Sequence, residues 1–131
     1  MKFSIKMVVA AVAVFAGGAA MAQSTFDKIN SSGKVVMGVR ESSAPMAYAI
    51  GSNQSFGGYH VELCERVLKE IVPKAKIEYM ALTAQNTMPL VQNGTLDIGC
   101  GPTTNNLTRQ KQVAFAVTTY VSQVRAAVKA D

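Results

Sequence analysis

The densest group of side chains with binding chemistry lies at residues 101–111, where the sequence reads GPTTNNLTRQK. Gly101 and Pro102 are turn-forming residues, and Thr103 and Thr104 each offer a hydroxyl and a backbone N–H group. Arg109 follows closely, and a guanidinium group that turns back toward the threonines can hold a carboxylate through two parallel hydrogen bonds. The stretch therefore suits a small carboxylate, and nothing in it is suited to cutting a bond.

The same residue types are also common where an ordinary helix begins. A helix that starts at Asn105 leaves its first N–H groups unpaired, and these groups together with the helix dipole attract an anion. Threonine and asparagine before a helix are, however, frequent caps, and an arginine on a short helix is usually solvated. The residues alone leave ligand binding and plain helix capping open.

Alternating apolar patterns predict the elements that would position this stretch. Strands are predicted at residues 34–40, 76–82, 95–100, 113–117 and 120–129. Helices are predicted after Ser24 and at residues 59–72, 86–93 and 105–112, with a hairpin or loop at 46–59 around GSNQS. Because strands alternate with helices, we predict an α/β fold with a parallel sheet and right-handed crossovers.

Three polar loops leave the carboxyl ends of predicted strands, at residues 40–43, 83–87 and 101–105. Ligands bind outside these strand ends in open α/β sheets, so we expect the three loops to form one crevice. Arg40 would then stand beside the 101–111 stretch. The alternative is that Arg40 forms a surface ion pair with Glu41.

Residues 1–22 have the three-part form of a cleaved secretory signal peptide. Lys2 and Lys6 precede an apolar run, and Ala20-Met21-Ala22 is typical of the cleavage site. Without the two lysines, 11 basic residues face 8 acidic ones, a net charge of +3 with no basic cluster, so nucleic acid is not an expected partner. The remaining residues 23–131 suffice for one domain.

The side chains typical of metal sites and redox centres are few and scattered. Cys64 and Cys100 lie among apolar neighbours, which favours buried free thiols, although an exported chain permits a disulfide between them. His60 stands alone at a predicted helix start and is expected at the surface. We expect no metal ion and no cofactor.

Four segments together resemble the amino-terminal lobe of a known family. They read FDKINSSGKVVMGVRESSAPMAY, GGYHVELCERV, QNTMPLVQNGTLDIGCG and PTTNNLTRQKQVAFAVTTYV. They are similar to bacterial periplasmic amino-acid-binding proteins of ABC importers, the family 3 solute-binding proteins, and especially to the glutamate/aspartate-binding branch. The resemblance implies a periplasmic-binding-protein-like fold of type II, in which two α/β lobes close over a free amino acid.

The resemblance also implies a role for each site residue. Arg109 is similar to the arginine that pairs with the α-carboxylate of the ligand, and Thr104 to the residue that assists it. The Pro102 carbonyl falls where the family receives the α-ammonium group. Arg40 is similar to a residue that contacts the side-chain carboxylate of an acidic ligand.

The chain departs from that branch at residues that would select the ligand. Ala84 and Thr87 stand where the branch usually has a serine and an arginine, Pro102 replaces a serine, and Gly99 replaces an acid. Loss of a cation that faces a desolvated carboxylate costs on the order of 2 to 5 kcal/mol. The substitutions therefore favour a neutral polar amino acid over glutamate or aspartate.

The resemblance ends near Asp131, where the first hinge strand of such a protein would enter its second lobe. We therefore expect a periplasmic receptor with no catalytic residues that delivers an amino acid to an ABC importer permease. It would be either truncated or split, and a split receptor would take its second lobe from another chain. One alternative is a non-binding fragment or interaction module. A less favoured alternative is a dehydratase-like enzyme, for which Glu41 is the sole carboxylate near the three loops.

Overall fold

The computed structural model describes residues 24–51, 55–123 and 125–129. The predicted signal peptide at residues 1–22 lies outside the described residues. The helices are α1 (Thr25–Ser32), α2 (Tyr59–Ile71), α3 (Thr87–Gln92) and α4 (Leu107–Gln110). The strands are β1 (Lys34–Arg40), β2 (Ser42–Ser43), β3 (Ala47–Ile50), β4 (Ser55–Gly57), β5 (Lys76–Leu82) and β6 (Ile98–Cys100).

The main sheet is parallel and has the strand order β5-β1-β6. Along β1 and β5 the register runs from Lys34 opposite Lys76 to Arg40 opposite Leu82. β1 lies in the centre and is buried on both faces: Val35 is fully buried, and a Cβ atom on Gly38 would lie 2.5 Å from Leu82 Cδ1. The parallel α/β fold predicted from the sequence is confirmed.

A second, antiparallel sheet of order β2-β3-β4 follows the carboxyl end of β1. Its β3-β4 pair is the hairpin predicted at residues 46–59, with Tyr48 opposite Gly57. The chain then enters α2, whose first N–H groups are not left unpaired. The carbonyls of Pro45 and Met46 accept hydrogen bonds from the N–H groups of Tyr59 and His60, at 3.2 and 2.9 Å. The hairpin therefore fixes the start of α2.

Cys64 of α2 and Cys100 of β6 form a disulfide, and their Cα atoms lie 6.4 Å apart. The preference for free thiols was wrong. Both cysteines lie among apolar residues of the same core, as expected. However, α2 packs against β6, which brings the two side chains together. Since 36 residues separate them, the sequence pattern does not reveal this contact.

The chain after α4 contradicts two strand predictions. Residues 113–117 and 120–129 form no strand in their described part, and Val117 and Val121 are 87% and 82% exposed. The valine content favours a strand, but a strand also requires a hydrogen-bonded neighbour, and the described residues offer none. None of the described helices is long and apolar enough to cross a membrane.

The burial of His60 also differs from the prediction. It is 8% exposed rather than at the surface, and its Nε2 lies 3.1 Å from Thr119 Oγ1. Smaller differences concern the ends of elements. β6 begins at Ile98 rather than Thr95, since the Leu96 N–H bonds to the Leu90 carbonyl instead of to a neighbouring strand.

Candidate functional site

The three polar loops do leave one edge of the main sheet. Arg40 pairs with Leu82 and Val39 with Cys100, so the carboxyl ends of β1, β5 and β6 are level. The first residues of two loops touch, because a Cβ atom on Gly101 would lie 2.7 Å from Arg40 Cγ. Only glycine allows the chain to leave β6 so close to the arginine stem. The sheet thus places Arg40 beside the 101–111 stretch, as the sequence predicts.

Arg109 folds back over the loop that precedes it. Its Nη1 donates a hydrogen bond of 3.0 Å to the carbonyl of Thr104, and the side chain is half-buried. This bond orients the guanidinium toward the threonines, which is the condition that carboxylate binding requires. Nε and Nη2 make no hydrogen bond to the described residues and remain as donors.

The helix that carries Arg109 is shorter than predicted. It begins at Leu107 rather than Asn105, and the side chain of Asn106 accepts a hydrogen bond of 2.9 Å from the Arg109 N–H. A single turn has a small dipole, and its cap already uses one of the first N–H groups. The attraction for an anion therefore rests on the guanidinium more than on the helix start.

The loop at residues 101–104 contains one backbone hydrogen bond between its own residues. The Thr103 N–H donates to the Gly101 carbonyl at 2.8 Å, which turns the chain sharply after β6. Within the described part of the chain, the N–H and hydroxyl of Thr104 have no hydrogen-bond partner, and neither has the carbonyl of Pro102. Two donors and one acceptor of two exposed residues are therefore unpaired within the described part of the chain.

The remaining candidate residues differ in their burial. Arg40 is half-buried and makes no ion pair with Glu41 among the described residues, so that alternative was wrong. Ala84 is exposed in the turn after β5. Thr87, in contrast, is 4% exposed, and its hydroxyl donates to the Thr83 carbonyl at 2.7 Å. Thr87 therefore lies in the core behind the site and offers no hydroxyl to a ligand.

The groups with shifted pKa values lie outside the three loops. A hydrogen bond from Lys34 holds the pKa of Glu78 below its usual range, at the far end of the sheet. Burial raises the pKa of Tyr79 to about 12, assisted by its hydrogen bond to Glu65. Both pairs fasten parts of the fold together.

Two other features of the described residues concern ligands. No group of three or more histidine, cysteine, aspartate or glutamate side chains is placed to hold a metal ion. An apolar cavity of about 150 Å³ lies at the opposite end of the sheet, between α1 and the last turns of α2, and includes Phe26 and Ile71. None of the candidate site residues lines it.

Sequence reasoning missed one cluster outside the three loops. Tyr59, His60 and Thr119 meet at the start of α2, with a hydrogen bond of 3.1 Å between His60 Nε2 and Thr119 Oγ1. The isolated position of His60 in the sequence gave no sign of it, because its partner is 59 residues away.

Comparison with known proteins places this geometry in a family. The profile of the bacterial extracellular solute-binding proteins, family 3, matches residues 35–131. The glutamate/aspartate import solute-binding protein of Salmonella typhimurium is 42% identical over 118 residues, which are 86% of this chain and 38% of that protein.

Solved structures show the same fold. The solute receptor for L-cysteine of Neisseria gonorrhoeae has a TM-score of 0.64 and 26% identity, over 71% of this chain and 38% of the receptor. An ancestral cyclohexadienyl dehydratase shares the fold at 24% identity with a TM-score of 0.60, over 70% of this chain and 36% of the dehydratase. The chain thus spans less than two-fifths of the length of these proteins. It belongs to the bacterial extracellular solute-binding proteins of family 3.

Proposed function

We propose that the chain binds a free amino acid at the carboxyl edge of the main sheet and holds its α-carboxylate with Arg109 and Thr104. The orientation of the guanidinium carries this proposal. Nη1 donates to the Thr104 carbonyl at 3.0 Å, and the same residue keeps its N–H and hydroxyl without a partner in the described part of the chain. A carboxylate accepts several such donors at once, and hydrogen bonds to a charged group are the stronger class.

The α-ammonium group needs an acceptor on the other side of the ligand. The Pro102 carbonyl is exposed two residues before Thr104 and accepts no hydrogen bond from the described residues. One loop therefore offers donors for the carboxylate and an acceptor for the ammonium group.

Family membership supports three further proposals. Residues 1–22 direct export to the periplasm, a second lobe covers the ligand, and an ABC importer permease receives the ligand.

The ligand side chain would meet Arg40 and Ala84. Thr87 is turned into the core, so that the loop after β5 supplies neither a hydroxyl nor a cation. Arg40 alone remains to oppose a side-chain carboxylate, and its stem is held against Gly101. We therefore propose that a neutral polar amino acid such as glutamine binds more tightly than glutamate, in contrast to the name of the Salmonella relative.

The test is calorimetric titration of the purified chain with glutamine, asparagine, glutamate and aspartate up to millimolar concentration. Arg109→Ala should raise the dissociation constant ten- to one-hundred-fold, since a hydrogen bond to a charged group contributes about 1.5–3 kcal/mol. Arg66→Ala is the matched control, because Arg66 is an exposed arginine of α2 outside the three loops. Its dissociation constant should equal that of the unsubstituted chain.

Each result bears on a different part of the proposal. Equal losses in Arg109→Ala and Arg66→Ala would remove the assignment of the carboxylate site. A preference for glutamate over glutamine would refute the specificity and point to Arg40 as the residue that reads an acidic side chain. Absence of binding by every amino acid would favour the non-binding interaction module.

Catalysis is not part of the proposal. Glu41 is the sole carboxylate in the three loops and is exposed. The three loops therefore supply a single solvent-exposed carboxylate and no acid–base pair.

A further inference from the structure

The chain after α4 is hydrogen-bonded to distant parts of the described structure at a single residue. Within residues 114–123 and 125–129, hydrogen bonds to other parts of the described chain are made by Thr119 alone. Tyr59 Oη donates to the Thr119 carbonyl at 3.2 Å, and His60 Nε2 lies 3.1 Å from Thr119 Oγ1. The rings of Tyr59 and Tyr120 add a contact with centroids 6.4 Å apart.

These contacts involve a histidine with a hydrogen-bond partner at only one of its two ring nitrogens in the described part of the chain. His60 is 8% exposed, and its Nδ1 is buried without a hydrogen-bond partner among the described residues. In the neutral ring Nδ1 is a bare lone pair when Nε2 carries the proton, which is the less costly way to leave a nitrogen unpaired. In the protonated ring Nδ1 carries an N–H and a share of the positive charge, with no acceptor to receive it.

We propose that Tyr59 and His60 form a latch that holds the chain at Thr119 against the start of α2, and that protonation of His60 opens this latch. Thr119 follows Arg109 by ten residues, so the latch is the next hydrogen-bonded contact with a distant part of the described chain after the candidate site. The latch does not depend on the proposed ligand.

Among the described residues, no carboxylate forms an ion pair with His60 that would favour the imidazolium form. Tyr59 of the same helix meets the ring edge-on at 5.2 Å, and Tyr120 of the covering chain packs behind Tyr59. The hairpin contributes the Met46 carbonyl, which already accepts the backbone N–H of His60. Glu62 stands two residues further along α2. Burial lowers the pKa of His60 below 6.5 and is the sole cause of that shift.

The direction of the pH effect follows from linkage. Release of the covering chain exposes the ring and restores its ordinary pKa near 6.5. The released state therefore binds a proton more readily than the latched state, so acidification below pH 6.5 favours release. The ratio of latched to released molecules falls up to tenfold for each unit that separates the two pKa values.

The experiment is a titration of the ¹⁵N-labelled full chain from pH 8 to pH 5, followed by NMR at the His60 ring and at the amides of residues 117–121. His60 is the sole histidine of the sequence, so its ring signals need no assignment by mutation. We expect the ring to titrate with a midpoint below 6.5 and the amides of residues 117–121 to shift with the same midpoint. Amides that stay fixed while the ring titrates would overturn the proposal, as would a midpoint at or above 6.5.

Two threonines provide a matched pair of variants. Thr119→Val removes the hydroxyl that faces Nε2, whereas Thr118→Val makes the same change at an exposed neighbour. Thr119→Val should shift the amides at pH 7.5 toward their positions in the acidified chain and raise the His60 midpoint toward 6.5. Thr118→Val should behave as the unsubstituted chain. If both variants gave the same spectra and midpoints, the latch would be refuted.

Discussion

Reduction of the disulfide between Cys64 and Cys100 should lower the free energy of unfolding of this chain by about 4 kcal/mol. The bridge closes a loop of 36 residues that contains all of β5 and α3. In the reduced unfolded chain this loop is free to expand, whereas in the folded chain the two cysteines stay packed in the same core. The loss therefore arises mainly from the unfolded state.

The magnitude follows from loop length. Closing a loop of 36 residues removes about 13 cal/mol/K of chain entropy, which is about 3.8 kcal/mol at 25 °C. A domain of this size has a total stability on the order of 5–15 kcal/mol, so reduction would remove a large share of it. We expect the urea midpoint to fall strongly, or the reduced chain to be unfolded without denaturant.

The assay is urea unfolding followed by far-UV circular dichroism, with and without a thiol reductant. The double variant Cys64→Ala, Cys100→Ala is the control, because its stability should be low and indifferent to the reductant. If oxidised and reduced chains unfolded within about 1 kcal/mol of each other, the loop-entropy account would be refuted.

Three further changes test the core, a half-buried ion pair and the effect of pH. Gly38→Ala should destabilise by about 1–3 kcal/mol in urea unfolding, because its Cβ would lie 2.5 Å from Leu82 Cδ1 in a packed core; an unchanged midpoint would show that the core yields. Asp97→Asn should cost about 1–3 kcal/mol in the same assay, since its side chain is 3% exposed and pairs with Lys28 at 2.8 Å, and an unaltered unfolding curve would contradict this. Since burial lowers the pKa of His60, the contribution of this residue to the free energy of unfolding is complete above pH 6.5 and is lost as the pH falls through the lower folded value. His60→Gln should lack this loss of stability between pH 7.5 and pH 5.5. Equal losses of stability in the variant and the unsubstituted chain would refute the prediction.

The predicted bounds of the strands β1 and β5 agree with the structure residue for residue, because the local sequence preference and the sheet favour the same conformation. Each has an apolar run that ends at a turn, and both lie side by side in the sheet. The sheet supplies the neighbours that an extended run requires, so local preference and tertiary context agree. Residues 113–117 have the same preference and no neighbouring strand among the described residues, so the same reasoning failed there.

The contacts missed by the sequence analysis all join distant residues. The disulfide spans 36 residues, and the bond between His60 and Thr119 spans 59. Residue type and spacing report the faces of helices and strands, but not which two faces meet. At the candidate site the reverse holds, because the orientation of Arg109 depends on Thr104 only five residues earlier. A relation between residues so close in one loop is within the reach of sequence reasoning.

The candidate site is a loop fixed at its ends rather than a rigid cleft. Its first end is held at Cys100 by the disulfide and its far side at Thr119 by the latch, while between them the bond from Arg109 to Thr104 is the main restraint on the donors. A ligand that binds such a loop must also order it, and that cost is subtracted from the affinity. Opening either end should therefore weaken binding although neither end touches the ligand. Affinity that fell on reduction or acidification while Arg109 and Thr104 were unchanged would be the mark of this arrangement.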